Sequence, residues 1–489
     1  MLSILQSKKR GSTKGKLSKK HSFSFISLGC AKNLVDSEEI IGSLISKGYK
    51  LESEVKESEI VIVNTCAFLH EARLEALDTI RELAAIKRSG KSKLRKIVVA
   101  GCLVQYLEWL KIKKTLPGVD LFVPLKEYQK IPSLLEILLE RKAARNNVTA
   151  GGGSPGEFVI QTGRNRFLSG STHSVYIKIA EGCNNRCSYC LIPFLRGELR
   201  SRKIEDILSE VKAVQKLGAV EINLIAQDTT AYGLDLYGKP MLGELLRDLC
   251  TLQSIKWIRI LYTQPSHITD DLLKVIQSEP SICKYLDIPI QHINTKILRL
   301  MGRKTGPGEI VSLYNKIRRM IPEIALRTTV MVGFPGEEEA EFNELLTFLR
   351  QYPFEKVGAF IFSAERGSPA YNLPDRVKPE IAEKRLIQIL NQQKEISRNF
   401  NRSLLGREVK VLIDNYEQHK NKAYGRMANQ APEVDGRVII TGTPGGAEVP
   451  RVSPGDLVNV KITGTGSYDL IGEFVAGKGK YKKPSYTLK

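Results

Sequence analysis

Short apolar runs alternate with amphipathic stretches along the first third of the chain. The apolar runs occupy residues 23–28, 60–63, 97–100 and 121–123. Helical periodicity fits residues 35–47, 71–88 and 131–142. A strand of a parallel sheet is apolar on both faces, and an amphipathic helix between two such strands returns the chain so that they run parallel. We therefore predict an α/β domain with a parallel sheet over residues 23–145.

The same alternation resumes after a glycine-rich stretch. Three consecutive glycines and a proline in residues 146–156 predict a linker, which we place at 146–172. Six further apolar runs follow, at 175–180, 219–226, 256–262, 285–290, 326–332 and 357–363. Helical segments lie between them at 203–217, 241–252, 268–278, 307–321 and 337–350, and a long polar helix fits 378–404. Six β/α repeats predict a partial (β/α)6 barrel over residues 173–405.

The pattern changes again beyond Gly406. Short β-like runs separated by Gly and Pro lie at 408–413, 423–427, 437–441, 457–463 and 468–475. Five short strands in so few residues are typical of a small β-barrel, which we predict over residues 406–475.

The charge of the chain is concentrated at its two ends. The 489 residues carry a formal net charge of +21. Residues 1–22 contribute +7 and residues 475–489 contribute +5, while residues 406–474 of the predicted barrel carry −1. Runs of like charge with few apolar residues repel and stay unfolded. We predict basic disordered tails at residues 1–22 and 476–489.

Length and composition limit the class of protein. A chain of 489 residues exceeds one hydrophobic core, so two or three domains are expected. No apolar run approaches the ~20 residues that cross a bilayer, and the N-terminus lacks the apolar segment of a secretory signal. A protein of this size does not need disulfides, so its eight cysteines predict reduced thiols or metal ligands and a cytoplasmic location.

Three cysteines of the central domain share one loop. Cys183, Cys187 and Cys190 form a C-x₃-C-x₂-C motif just after the first central strand, at the barrel mouth where active sites gather. Zinc is the main alternative, but structural zinc takes four ligands, and His173, the closest histidine, precedes the strand. Three soft thiolates favour a [4Fe-4S] cluster with one iron free to bind a small molecule.

A second set of three cysteines lies in the first domain. Cys30, Cys66 and Cys102 each follow an apolar run by one to three residues. Residues just past the carboxyl ends of parallel strands share one edge of the sheet, so the three can converge despite their separation. Burial as small apolar residues is the alternative for any one of them, and it is our interpretation of Cys250 and Cys283. For the three together we predict a second cluster.

The central motif, with aromatic Tyr189 before its last cysteine, resembles the radical S-adenosylmethionine (SAM) superfamily. The two triads together resemble the methylthiotransferases, from about residue 23 to 475. That resemblance implies an N-terminal cluster domain, a radical SAM domain and a C-terminal TRAM barrel. It implies two [4Fe-4S] clusters, one that cleaves SAM to a 5′-deoxyadenosyl radical and one that is the site of the transferred sulfur. It also implies two SAM molecules per turnover, one for the methyl group and one for the radical.

Two local sequence segments favour one branch of this family, the RimO type, which modifies an aspartate of a small-subunit ribosomal protein. Residues 27–38 read SLGCAKNLVDSE and residues 225–233 read IAQDTTAYG, and both are similar to that branch. Chains of the tRNA branch (MiaB type) more often have Gln-Met-Asn after the first cysteine. Two departures stand out: Ala31 replaces a proline common in the RimO type, and Asn185 replaces a histidine.

Charge gives a separate argument for the same branch. A barrel that grips tRNA should be strongly basic, because phosphate contacts dominate such affinity, whereas this one carries −1. The resemblance implies methylthiolation of the aspartate β-carbon of the twelfth small-subunit ribosomal protein, with a low-potential donor (ferredoxin or flavodoxin). Two alternatives stay open: a tRNA adenosine substrate, and a non-catalytic ribosome-binding protein with structural metal. The basic tails leave rRNA contact open.

Further candidates surround the predicted mouth. Gln227 and Asp228 end the second barrel strand, and together with Tyr189 they are predicted to contact SAM. Ordinary strand-end polarity is an equal alternative for Gln227 and Asp228. Asp287 and His292, which flank the fourth strand, favour a rim or core role.

Overall fold

The computed structural model describes residues 21–109, 116–140, 148–149, 166–442 and 451–475. The predicted tails lie outside these residues, apart from His21 and Ser22, and Ser22 already begins the first strand. Three domains follow one another along the chain, and their architecture confirms the predicted fold class. None of the described helices is long and apolar enough to cross a membrane.

The first domain is a parallel sheet with helices on both faces. Its strands are β1 Ser22–Ser27, β2 Lys50–Leu51, β3 Ile60–Thr65, β4 Lys96–Gly101, β5 Leu121–Val123 and β6 Val148–Thr149. Its helices are α1 Ala31–Ser46, α2 His70–Ser89, α3 Cys102–Trp109 and α4 Ile131–Glu140. The strand order is β2-β1-β3-β4-β5-β6, so β1, β3 and β4 are direct neighbours in the sheet.

Every residue of β3 is buried, which explains its unbroken apolar run. On one face, Phe23, Ile60 and Ile62 pack against α1 and α4. On the other face, α2 and α3 pack against alternate residues of the same strands.

The central domain is a six-stranded parallel sheet with the order β14-β13-β12-β11-β10-β7. Its strands are β7 Ser174–Lys178, β10 Glu221–Ile225, β11 Trp257–Ile260, β12 Ile282–Asp287, β13 Ala325–Val332 and β14 Lys356–Ile361, with a short β8–β9 pair at Ala180–Glu181 and Arg200–Ser201. Its helices are α5 Ile192–Arg196, α6 Ile204–Lys216, α7 Leu234–Tyr237, α8 Leu242–Cys250, α9 Asp270–Ser278, α10 Thr295–Leu300, α11 Pro307–Met320, α12 Glu339–Gln351 and α13 Pro379–Arg402.

One strand differs in position from its prediction. The apolar pattern predicts a strand at 285–290, but β12 spans Ile282–Asp287. Pro289 has no N–H to donate to a neighbouring strand, so pairing ends before it. The chain continues to Gln291, whose backbone has a φ of 70°.

The C-terminal domain is a closed barrel with the order β15-β16-β17-β19-β18. Its strands are β15 Glu408–Glu417, β16 Lys422–Arg426, β17 Val438–Ile440, β18 Leu457–Thr465 and β19 Leu470–Phe474. Exposed and buried residues alternate along the first part of β18, because one face fills the barrel and the other meets solvent.

Buried charges attach this barrel to the amino ends of the central strands. Glu221 on β10 accepts from Arg426 Nη2 at 2.7 Å and from Arg259 Nη2 at 3.0 Å. Arg426 also pairs with Asp414, whose Oδ1 lies 3.0 Å from His173 Nε2. The barrel therefore occupies the end of the sheet opposite the predicted active site, and His173 is engaged there.

Part of the predicted linker packs between the first two domains. Arg166 Nη2 lies 2.6 Å from Glu38 Oε2 of α1, and its Nη1 lies 2.6 Å from Glu210 Oε1 of α6. Ser169 donates to Glu38 through both its N–H and its hydroxyl. Buried pairing of this kind fixes one domain against the other, although the domain bounds themselves remain predictions.

Candidate active site between two cysteine triads

The loop of the central triad leaves the sheet at the carboxyl end of β7. Cys183 donates its N–H to Gly197 O at 3.0 Å, and Cys190 donates to Cys187 O at 3.1 Å. Ser188, inside the motif, donates to Met301 O at 2.9 Å. Backbone contacts at both ends and in the middle therefore hold the three cysteines in one ordered loop.

Each sulfur of this triad accepts a hydrogen bond from an N–H group. Asn185 N lies 3.4 Å from Cys183 Sγ, and Ile192 N lies 3.5 Å from Cys190 Sγ. Arg303 Nη1 lies 3.9 Å from Cys187 Sγ. Hydrogen bonds to thiolate sulfur tune iron–sulfur centres, so three soft donors with this N–H pattern fit a [4Fe-4S] cluster.

The N-terminal triad is assembled from three neighbouring strands. Cys30 precedes α1 after β1, Cys66 directly follows β3, and Cys102 directly follows β4 as the first residue of α3. Because β1, β3 and β4 are adjacent and parallel, the three cysteines occupy one edge of the sheet. Cys66 and Cys102 are buried, whereas Cys30 is exposed.

Two glycines permit this convergence. A Cβ on Gly29 would lie 2.6 Å from Cys66 Cβ, and one on Gly101 would lie 2.4 Å from Thr65 O. Both residues have positive φ, 97° and 107°, a conformation that a side chain makes costly. The glycine before the first and third cysteine therefore lets their loops approach β3.

Burial disfavours the free thiolate in both triads. Burial raises the pKa of the Cys102 thiol to about 12; Arg196 opposes that rise, and the charges of Cys66 and Cys30 add to it. Burial likewise raises the pKa of Cys190 to about 12. Buried thiols of this kind become thiolates when they ligate a metal.

No group of His, Cys, Asp and Glu side chains among the described residues could hold a single metal ion. The thiolates of a cubane each bind a different iron, so they stand farther apart than the ligands of one ion.

A buried ionic network joins the first and central domains beside the triads. Arg196 Nη1 lies 2.8 Å from Glu181 Oε1 and 3.1 Å from Asp36 Oδ2. Lys178 on β7 pairs with the same two carboxylates. The charges of Cys102 and Cys30 act on Arg196, which follows Cys190 by six residues. Arg196 is the last residue of α5, the helix that begins two residues after Cys190. Its guanidinium lies within electrostatic range of the N-terminal triad.

Apolar packing supports the same arrangement. Leu191 and Leu195, next to the central triad, belong to the hydrophobic core that contains Cys102 and Leu103 of the first domain. The two triads therefore flank one domain interface.

The SLGCAKNLVDSE segment supplies much of this interface. Asn33 Nδ2 donates to Leu28 O at 2.9 Å and to Thr65 O at 3.0 Å, which ties the Cys30 loop to β3. Asp36 reaches Lys178 and Arg196, and Glu38 reaches Arg166. The polar residues of the segment thus position the first domain on the second.

The predicted SAM contacts lie beside the central triad. Gln227 Nε2 donates to Glu181 Oε1 at 2.8 Å, while its buried Oε1 has no hydrogen-bond partner. Tyr189 packs against the apolar group that contains Ile297 and Met301.

Asp228 is already engaged by its neighbours. It accepts from Asn185 Nδ2 at 2.8 Å, from His267 Nδ1 at 2.9 Å and from Thr230 Oγ1 at 2.7 Å. Burial pushes the pKa of Asp228 up, but these hydrogen bonds outweigh it and hold the pKa below its usual value. This geometry suits a carboxylate that orients the cysteine loop, and SAM contact by Tyr189, Gln227 and Asp228 stays a prediction.

The remaining candidate residues lie in surroundings that indicate a structural role. Cys283 is buried in the core, and Cys250 accepts from Ser281 Oγ at 3.2 Å. His292 is fully buried 3.5 Å from Glu337. Asp287 Oδ1 is buried without a hydrogen-bond partner, although Asp287 Oδ2 accepts from Tyr262 N at 3.3 Å.

Sequence patterns alone do not single out Arg196, Lys32 or Tyr262. Lys32 Nζ lies 3.3 Å from Ala226 O and 3.5 Å from the centre of the Tyr262 ring. Burial lowers the pKa of Lys32. Tyr262 has a φ of 61°, which is rare for a bulky residue and concentrates at functional sites. Lys32 and Tyr262 are far apart in the sequence, so only the fold reveals this pair.

Comparisons with known families divide the chain in the same way. Residues 22–124 match the model described as uncharacterized protein family UPF0004, residues 177–349 match the radical SAM superfamily, and residues 405–475 match the TRAM domain. The fold and the cysteine loop thus define a radical SAM enzyme with two accessory domains.

Relatives identify the family within that class. A protein of Citrifermentans bemidjiense named ribosomal protein uS12 methylthiotransferase RimO is 43% identical over 93% of this chain and 99% of the relative. Proteins of the same name from Geobacter sulfurreducens and Clostridioides difficile are 42% and 41% identical, over 94% and 91% of this chain and 99% and 97% of their own. The chain belongs to the RimO family of radical SAM methylthiotransferases.

A solved structure supports the fold alone. The radical SAM methyltransferase TsrM from Kitasatospora setae, with tryptophan substrate and a SAM analogue bound, aligns with a TM-score of 0.53. The match covers 81% of this chain and 79% of that chain at 13% sequence identity.

Proposed function

We propose that this chain replaces a hydrogen on the β-carbon of an aspartate in ribosomal protein uS12 with a methylthio group. The observation that supports it most is that two cysteine triads flank one domain interface, which the buried network around Arg196 holds together. Relatives that share nearly their whole length with this chain are named for uS12. The net charge of −1 on the C-terminal barrel adds support, because such a surface suits a basic ribosomal protein better than the polyanion tRNA.

The chain's own residues would hold and separate the reactive groups. Cys183, Cys187 and Cys190 would hold the cluster that binds SAM, and Cys30, Cys66 and Cys102 the second cluster. When bound, these [4Fe-4S] clusters supply the electron that cleaves one SAM and the sulfur that receives the methyl of another. Leu191 and Leu195 exclude water between the triads, since both are buried.

The same proposal implies partners and a location. We infer a low-potential donor of the ferredoxin or flavodoxin class and a cytoplasmic site of action, where thiols stay reduced. The basic tails would contact rRNA, and a truncation of residues 476–489 should then slow modification of assembled small subunits at low salt more than modification of free uS12.

Anaerobic reconstitution tests the function directly. The full chain should bind about eight irons. With SAM, a reductant and a sulfur source, mass spectrometry should find one methylthio group in place of one hydrogen on an aspartate of uS12. Label on tRNA and none on uS12 would replace this proposal with the nucleoside one. Zinc in place of iron would contradict both.

A further inference from the structure

Lys32 is a nearly buried cation without a carboxylate partner in salt-bridge distance among the described residues. The side chain is 8% exposed, and its ammonium makes one hydrogen bond, 3.3 Å to Ala226 O. An ammonium has three N–H donors, and only one of them has a hydrogen-bond acceptor among the described residues. A buried charge with so few contacts is costly unless a ligand completes it.

The neighbouring cations are engaged, which sets Lys32 apart. Arg196 and Lys178 share the carboxylates of Asp36 and Glu181 within hydrogen-bond distance. These two cations and two anions balance one another. The ammonium of Lys32 lies outside that set, and Cys30, Glu181 and Asp287 attract it only from beyond hydrogen-bond distance.

The position of the ammonium is suited to a substrate. Lys32 belongs to the first domain and follows exposed Cys30 by two residues, yet it contacts the carboxyl ends of two central strands. Ala226 directly follows β10, and Tyr262 lies beyond β11 with its ring beneath the ammonium. The cation therefore lies where the two domains meet, next to the cysteine that is open to solvent.

The backbone of Tyr262, whose ring contacts Lys32, has an unusual conformation. Tyr262 has a φ of 61° and donates its N–H to Asp287 Oδ2 at 3.3 Å. A strained residue persists when surrounding structure holds it, and such residues cluster at ligand sites. The ring face of Tyr262 lies 3.5 Å from Lys32 Nζ, so a π-surface rather than a carboxylate holds the cation.

We propose that Lys32 binds the side-chain carboxylate of the substrate aspartate and thereby selects an acidic residue for modification. This inference rests on the proposed uS12 activity and names the residue that recognises the target aspartate. A carboxylate is the acceptor that best completes a buried ammonium, because a hydrogen bond between charged groups is stronger than one between neutral groups. The carboxylate would hold the β-carbon beside the N-terminal triad.

Reconstituted full-length enzyme carrying Lys32→Met or Lys32→Arg tests this role. Methionine keeps an unbranched side chain and removes the charge, and arginine restores the charge. The KM for uS12 should rise about 10- to 100-fold in Lys32→Met, with a smaller change in kcat, and recover partly in Lys32→Arg. Lys47→Met, at the exposed end of α1, is the matched control and should keep the wild-type KM.

A second substrate separates recognition from structure. Wild-type enzyme should bind uS12 whose target aspartate is asparagine about 10- to 100-fold more weakly, measured by competition. Lys32→Met should bind uS12 with aspartate and uS12 with asparagine equally, because each of the two substitutions removes the same charge contact. An equal preference in wild type and Lys32→Met overturns the inference, as does a rise in KM for SAM with no change for uS12. Wild type that leaves uS12 unmodified would instead contradict the proposed function.

Discussion

The central triad lies within residues 183–190, whereas the N-terminal triad is spread over residues 30–102. A single loop, held by its own backbone hydrogen bonds and by Met301, arranges the first set. Three separate strand ends must meet to arrange the second. Cys30, Cys66 and Cys102 converge only because β1, β3 and β4 pair in register.

This difference separates a locally encoded site from one that depends on the fold. A loop motif keeps its spacing while the domain around it moves. A site at the edge of a sheet inherits every shift of the strands. The N-terminal triad should therefore respond to backbone changes that leave the central triad intact, while Arg196 should matter to both.

Cysteine substitutions should give the largest effects and separate the two sites. Cys187→Ala should reduce SAM cleavage to background, since no neighbouring residue replaces a thiolate. Cys66→Ala should still cleave SAM but form no methylthiolated product, with iron falling from about eight to about four per chain. Iron analysis and chromatography of 5′-deoxyadenosine measure both. Cys250→Ala should retain all iron, and a loss there would contradict the assignment of six ligands.

Removal of Arg196 should weaken both triads together. Arg196→Met leaves the buried carboxylates of Asp36 and Glu181 with fewer partners, at a cost of about 3–5 kcal/mol in unfolding free energy. Urea unfolding and iron content report the effect. Arg398→Met, which breaks an exposed pair with Glu395, should change stability by no more than about 1 kcal/mol. Loss of iron from only one triad would show that Arg196 does not couple them.

A backbone change should act on the N-terminal triad alone. Gly101→Ala places a Cβ 2.4 Å from Thr65 O at a φ of 107°, so we expect a loss of about 3 kcal/mol and of the N-terminal iron. Gly48→Ala has a similar φ of 86° with nothing within 4 Å, and should cost about 1 kcal/mol. Denaturation curves and iron analysis compare the two. Equal losses would mean that φ strain alone matters.

The opposite end of the central sheet should affect stability without touching either triad. Burial raises the pKa of Glu221, but Arg259 and Arg426 outweigh it and lower the pKa to about 2. A depressed folded-state pKa contributes stability that is present above the unfolded value of about 4.3 and is lost as pH falls toward 2. Glu221→Gln should therefore flatten the loss of stability over that interval. Its iron content at neutral pH should equal that of wild type, and an unchanged acid profile would contradict the assignment.

Much of the architecture follows from periodicity. The runs at 60–63 and 121–123 correspond to β3 and β5, and the predicted helix at 71–88 corresponds to α2 at His70–Ser89. Local patterns succeed here because buried strands and amphipathic helices differ in their apolar period. The failures are local too, such as β12, where the apolar run continues past the point at which Pro289 ends pairing.

The spacing of Cys183, Cys187 and Cys190 was available from the sequence by itself, because their loop is continuous in the chain. The sequence likewise placed Cys30, Cys66 and Cys102 after strands. Only the tertiary structure decided that Arg196 joins the central domain to the first and that Lys32 reaches the central mouth from the first domain. The physical reason is that partners such as Asp36 and Lys178, or Lys32 and Ala226, are distant in sequence. Their contacts exist only after two separately folded sheets pack together.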